Sequence, residues 1–167
     1  MSGDETTPMI ANTPIDTDRF AWPVATLDPV SKMRALAIAL PHCAVRETVL
    51  DAEFDRVWDL LVDFEHGTPR YEGLVREVEI LERTETNLRI KSRMISGFWI
   101  EAEVVLEPGW CLMRSRMGEI GMAARPEGES RTRFIHFEGS RPFGRILRPF
   151  FDWNIRGDFR RLEALLA

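Results

Sequence analysis

From Leu74 to Gly139 apolar and polar positions mostly alternate, and in stretches before and after it they recur at close to 3.6 residues. The first helical stretch runs from about 28 to 40. Asp28-Pro29 has the form of an N-cap followed by a first-turn proline, and Met33, Leu36, Ala37 and Leu40 share one face before Pro41 ends it. Residues 44–50 read as a strand of mixed polarity. Phe54, Val57, Trp58, Leu61 and Val62 then return to helical spacing. His66-Gly67, Pro69 and Gly73 break the next stretch into a short helix or loop. Six strand runs follow, at 74–83, 87–94, 99–106, 110–117, 120–125 and 130–138, separated by turn residues such as Pro108-Gly109 and Gly128. Loops this short require antiparallel pairing, because a parallel crossover needs a dozen or more residues. From 145 to 167, Leu147, Phe151, Ile155, Phe159, Leu162 and Leu166 fall on one helical stripe. Such a helix spans about 30 Å at 1.5 Å per residue, enough to cross a sheet.

These elements make an α+β chain with one sheet and one long helix. A seven-stranded antiparallel sheet offers more apolar surface than a single helix fills, and curling the sheet round the helix leaves an apolar cavity between them. Residues 1–43 form an expected N-terminal arm, loose to about residue 27, with Phe20, Trp22 and Val24 able to pin the end of that loose stretch onto the body, and residues 44–167 an expected ligand-binding domain.

Charge and composition narrow the partners. The chain has 167 residues, 44% of them hydrophobic and 29% charged, the balance of a globular protein. A net charge of −5 argues against general nucleic-acid binding. The longest uncharged apolar run, Ala35 to Val45, contains Pro41 and is too short to span a bilayer. Two cysteines, Cys43 and Cys111, make no disulfide framework, and acidic residues stand where a secretory signal has basic ones. The expected setting is the cytoplasm.

The segment Leu50-Asp51-Ala52-Glu53-Phe54-Asp55-Arg56-Val57-Trp58-Asp59-Leu60-Leu61-Val62-Asp63 resembles the opening of the SRPBCC superfamily, the START-related and polyketide cyclase/dehydrase-like proteins. Glu77 to Leu81 resembles that superfamily's second strand, Ser130 to Phe134 its last strand, and Arg160-Arg161-Leu162 its closing helix. The resemblance implies a helix-grip fold with two short helices after the first strand. It also implies a hydrophobic small-molecule ligand of lipid, isoprenoid or polyketide type, with a cyclase or dehydratase as the alternative. Cyclase members of the superfamily carry inward Arg and Ser on the strand matching 99–106. Here Ile100, Ala102 and Val104 occupy the inward positions, which favours a greasier ligand.

Alternation assigns the expected lining. Ser92 and Met94 face in beside Leu88 and Ile90, and Met113 and Met117 beside Cys111; Met122 joins them from the next strand. Methionine suits an irregular ligand and equally suits an ordinary core. Tyr71, Phe151, Asn154 and Ile155 complete the expected pocket. Arg93 and Lys91 are placed to pair with Glu101 and Glu103 on the outer face.

Alternation alone leaves the last strand open. Thr132, Phe134, His136 and Glu138 share one face, Arg131, Arg133, Ile135 and Phe137 the other. Matching it to the superfamily's last strand turns Phe134 inward, and brings His136 and Glu138 into an apolar pocket. There they are a candidate acid/base pair, a polar anchor for a ligand, or, on the opposite register, without a role. Asp158 falls within the apolar stripe of the final helix and needs an inward Arg or His136 as partner, unless the helix leaves the sheet there. The basic, aromatic run Arg141 to Phe151 suits a cavity mouth or a transient membrane-surface contact.

No Gly-rich phosphate loop, metal-ligand spacing or Gly-x-Ser-x-Gly elbow is present, so neither cofactor nor metal is expected. Cys111 reads as a buried, inert thiol. Monomer and homodimer both remain open.

Overall fold

A computed structural model describes residues 26–167. Phe20, Trp22 and Val24 lie outside the described residues. Helix α1 (Pro29–Ala39) starts where expected: Asp28 caps it, its carboxylate accepting from the Val30 amide at 3.0 Å and the Ser31 amide at 3.1 Å. Then come β1 (Cys43–Leu50), α2 (Phe54–Val62) and the four-residue α3 (Thr68–Tyr71). The meander follows as β2 (Val75–Arg83), β3 (Asn87–Met94), β4 (Trp99–Glu107), β5 (Trp110–Ser115), β6 (Gly118–Pro126) and β7 (Thr132–Ser140). A 3₁₀ turn, Gly144–Leu147, leads into α4 (Arg148–Leu166).

All seven strands form one curved antiparallel sheet in the order β1-β7-β6-β5-β4-β3-β2. Consecutive strands pair along the meander, and β1 closes on β7 with Arg46 opposite His136. The β4–β5 turn needs Gly109, whose φ of +73° is unfavourable for a side chain. β5 ends two residues early because the Ser115 hydroxyl takes the amides of Met117 and Gly118 at 3.1 and 3.2 Å and closes a tight turn.

The inner face carries the main core. Leu88, Ile90, Val104, Cys111, Met122 and Phe134 from the sheet meet Ile155, Phe159 and Leu162 from α4 and Val57 and Leu61 from α2. The outer face of β5, β6 and β7 is covered as well. Val30 and Met33 of α1 bury Trp110, Ala123, Ile135 and Phe137 in a second core. Gly121 permits this contact, since a Cβ there would sit 2.3 Å from the Phe137 ring and 2.7 Å from the Met33 sulfur. Both faces of β7 are therefore apolar, which explains why alternation left its orientation open: Phe134, His136 and Glu138 face α4, and Ile135 and Phe137 face α1.

The charged ladder departs from expectation. Lys91 and Arg93 pair with Glu79 and Glu77 of β2, each at 3.7 Å, instead of with Glu101 and Glu103 of β4. Lys91 also lies 4.0 Å over the Trp99 ring, which holds it away from its β4 neighbour.

Candidate functional site

Helix α4 does not lie evenly across the sheet. Its C-terminal half presses on β7 and α2: the Phe134 and Phe159 rings are 5.2 Å apart and Leu162 is buried beside them. Its N-terminal half stands off from β3, β4 and β5, and the space between is a cavity of about 280 Å³. Ser92, Met94, Ile100, Ala102, Met113, Met117, Phe151 and Asn154, all expected in the pocket, line it, and so does Glu138. Phe143, Leu147 and Phe150, from the basic aromatic run, form its outer part. An open groove of about 640 Å³ adjoins it, sharing Leu74, Met94, Ile100, Met117 and Phe150 and ending at the exposed Phe98.

Six expected lining residues stand elsewhere. Tyr71, Val104, Met122, Phe134, His136 and Ile155 are buried in the core beyond the cavity, with Phe134 and His136 against the Phe159 ring. Alternation put Val104 on the inner face, and the match to the superfamily's last strand put Phe134 and His136 there; neither carries information on how far along that face the helix touches the sheet. The Tyr71 hydroxyl donates to the Leu61 carbonyl at 3.3 Å and lies 3.6 Å from the Met122 sulfur, so it faces the core.

At the inner end the wall turns polar. His136 Nε2 is 2.9 Å from Glu138 Oε1 and 3.6 Å from Glu72 Oε1. The Asn154 amide donates to both Glu138 oxygens, at 3.2 and 3.1 Å, and to Asp158 Oδ2 at 3.0 Å. Asp158 Oδ1 accepts from the Gly73 amide at 2.9 Å and from the Arg161 guanidinium, whose Nε donates to the Tyr71 carbonyl at 2.8 Å. Asp158 thus has an arginine partner, though Arg161 reaches it from the surface, its side chain 42% exposed, and is not inward. Glu72, His136, Glu138, Asn154 and Asp158 are each more than nine-tenths buried.

Burial sets the electrostatics here. It is the largest influence on Glu72, and with the neighbouring Glu138 and Asp158 charges it holds that carboxyl well above the usual carboxylate range. Burial likewise lifts Asp158, to about 6, aided by Glu138 and opposed by His136, the Gly73 amide and Arg161. Burial also pushes the Cys111 thiol up to about 12, in keeping with an inert cysteine.

Glu72, His136, Glu138 and Asp158 offer four ligand atoms within 4.8 Å of one another, close enough for a divalent cation. Their hydrogen bonds work against that use. His136 Nε2 points at Glu138, and moving its proton to Nδ1 to free Nε2 would leave an N–H that no described residue accepts. His42-Cys43 acquires Glu119 as a third group, but burial pushes the Cys43 thiol up to about 12 and keeps its proton in place.

Two polar positions that line the cavity escaped the sequence. Glu72 follows a broken helix and carries no periodic signal. Ser140 continues the alternation Phe134, His136, Glu138 by one more step, and ending the strand at 138 hid it.

No protein-family model matches the chain, and no curated protein matches it in sequence. Solved structures do match in shape. A START superfamily protein from Mycobacterium smegmatis aligns with a TM-score of 0.58 at 15% identity, over 74% of this chain and 96% of that one. The Zhui aromatase/cyclase from Streptomyces sp. R1128 aligns at 0.60 and 15%, over 74% and 92%. Protein MLL2253 from Mesorhizobium loti aligns at 0.61 and 16%, over 74% and 96%. The fold is the SRPBCC-type helix grip. The SRPBCC-type resemblance stated from Leu50–Asp63 therefore holds at the level of architecture. One scaffold of this kind serves different activities, so the site has to be read from its own residues.

Proposed function

We propose that the chain binds a hydrophobic small molecule, of lipid, isoprenoid or polyketide class, between the sheet and the N-terminal half of α4. The observation that carries this reading is the cavity, whose walls are methionine, aliphatic and aromatic carbon with a polar group at one end. Burying the apolar part of a ligand there supplies affinity at about 25 cal/mol per Å², before the entropic cost of association. The rim supports a loading role: Phe98, Ile146 and Trp153 are 74%, 85% and 64% exposed, with Arg145 and Arg148 in the same 3₁₀ turn and helix start. Such a surface suits brief contact with a membrane face. No described helix is long and apolar enough to cross a membrane.

A catalytic reading has one observation in its favour. Glu72, a carboxyl that keeps its proton unusually well, stands beside the Glu138–His136 pair at the wall of the cavity, the pairing a cyclase or dehydratase needs for acid/base work. The cytoplasm, with its reducing conditions, suits two buried free cysteines.

Native mass spectrometry of the freshly purified chain, followed by solvent extraction, tests the binding reading. The expected result is a stoichiometric apolar adduct or, if the ligand is lost in purification, uptake of the neutral dye Nile red with a blue-shifted emission. A clean mass together with no dye uptake refutes it.

A further inference from the structure

The polar end of the cavity carries two carboxyl groups and no basic side chain. Glu72 closes α3, Glu138 and Ser140 lie on the inner face of β7, and Asn154 projects from α4; all four line the cavity and all are more than nine-tenths buried. Behind them Asp158 is matched by Arg161, which also holds the Tyr71 carbonyl and so is committed to the far side of the cluster. Glu138 has no Lys or Arg partner among the described residues; it accepts from the Asn154 amide and lies 2.9 Å from His136 Nε2.

Two carboxyl groups at the edge of an apolar space make a costly arrangement that an incoming cation relieves. A second, independent observation concerns Ser140. Its hydroxyl is buried in the same wall, two residues beyond Glu138, and has no hydrogen-bond partner among the described residues. The wall thus presents a carboxylate, a carboxyl and an unused hydroxyl to whatever enters. A ligand carboxylate or phosphate would add like charge. An alcohol would satisfy the hydrogen bonds and leave the charge. An ammonium supplies three N–H donors and the missing positive charge together.

We propose that this wall receives the cationic amine head of a small amphiphile, with its chain among Met94, Ile100, Ala102 and Met113. The inference rests on the ligand-binding reading of the cavity. The ammonium donates to Glu138 and to the Ser140 oxygen. The head's one positive charge is matched by Glu138, and binding makes and breaks no covalent bond.

The test displaces Nile red from the full chain at pH 7 with decylamine, decanol and decanoate, each below its micellar concentration. Decylamine should compete at a concentration at least about tenfold below decanoate, the scale of a like-charge penalty in a buried site. Glu138→Gln should abolish the amine preference. The wild-type ligand series decides the matter even if a variant fails to fold. Decanoate or decanol matching decylamine overturns the head-group assignment and leaves the cavity reading intact, as does Nile red that none of the three displaces. Nile red that fails to bind at all overturns both.

Discussion

Replacing Asp158 with asparagine isolates the electrostatic cost of the buried cluster. In the folded chain burial lifts Asp158 to about 6 from an ordinary 3.8. Below 3.8 the carboxyl is protonated in folded and unfolded chains alike and contributes no difference. As pH rises from 3.8 to 6 the unfolded chain loses the proton first, and the folded state falls progressively behind. At 1.36 kcal/mol per pH unit, that interval of about two units amounts to about 3 kcal/mol of stability lost by pH 7. The replacement asparagine keeps an oxygen for the Gly73 amide and carries no charge. The difference in unfolding free energy between wild type and Asp158→Asn should therefore shift by about 3 kcal/mol in the variant's favour between pH 4 and pH 7. Removing the Asp158 charge also eases Glu72, which acts in the same direction. Other carboxylates act oppositely in acid: Arg34 and Arg133 hold Glu47 at about 2, and Arg46 and Arg156 hold Asp152 at about 2. They are common to both proteins and cancel in the difference. Urea titrations at half-unit pH intervals measure it. A difference that stays flat across that range would refute the argument, and one that grows in favour of wild type would show that the Arg161 ion pair outweighs burial.

Three further outcomes follow from the packing. Asn154→Leu strips donors from Glu138 and Asp158 at once and should cost about 2–4 kcal/mol in a denaturant titration, because two buried carboxylates lose hydrogen bonds. Ala102→Phe fills the middle of the cavity from β4; dye uptake should fall at least about tenfold while the melting temperature holds or rises, since an existing void is being filled. Met33→Ala opens the outer core under α1 and should destabilise by about 2–5 kcal/mol, with dye affinity in the folded protein unchanged because the cavity lies on the other face of the sheet.

Much of the architecture is legible in the chain because one face of most strands meets water. On β3 and β4 the charges at 89, 91, 93, 101 and 103 mark the outside, and the cavity wall follows by alternation. The same rule cannot orient β7, where a second core under α1 makes both faces apolar. Nor does it say where a helix stands off from a sheet, which is why Ile100 and Ala102 line the cavity while Val104, on the same strand and face, lies in the core. Glu138 and Asn154 were readable as inward polar groups. Glu72 was not, since its burial is created by α4 folding back over a stretch that lacks any repeat of its own.

The double covering of β5, β6 and β7 divides the molecule mechanically. That half of the sheet is backed by α1, β7 is held by α4 on its inner face as well, and the polar cluster is anchored there. The β2–β3–β4 half has a hydrated outer surface and the cavity beneath its inner one, so it has the fewest neighbours to disturb when it bends. Swinging this leaf outward would widen the mouth without breaking a hydrogen bond of the Glu138 network. On the binding reading proposed above, loading a guest and keeping the fold fall to opposite halves of one sheet, and amide exchange should be fastest on the side that opens and slowest on the side that grips.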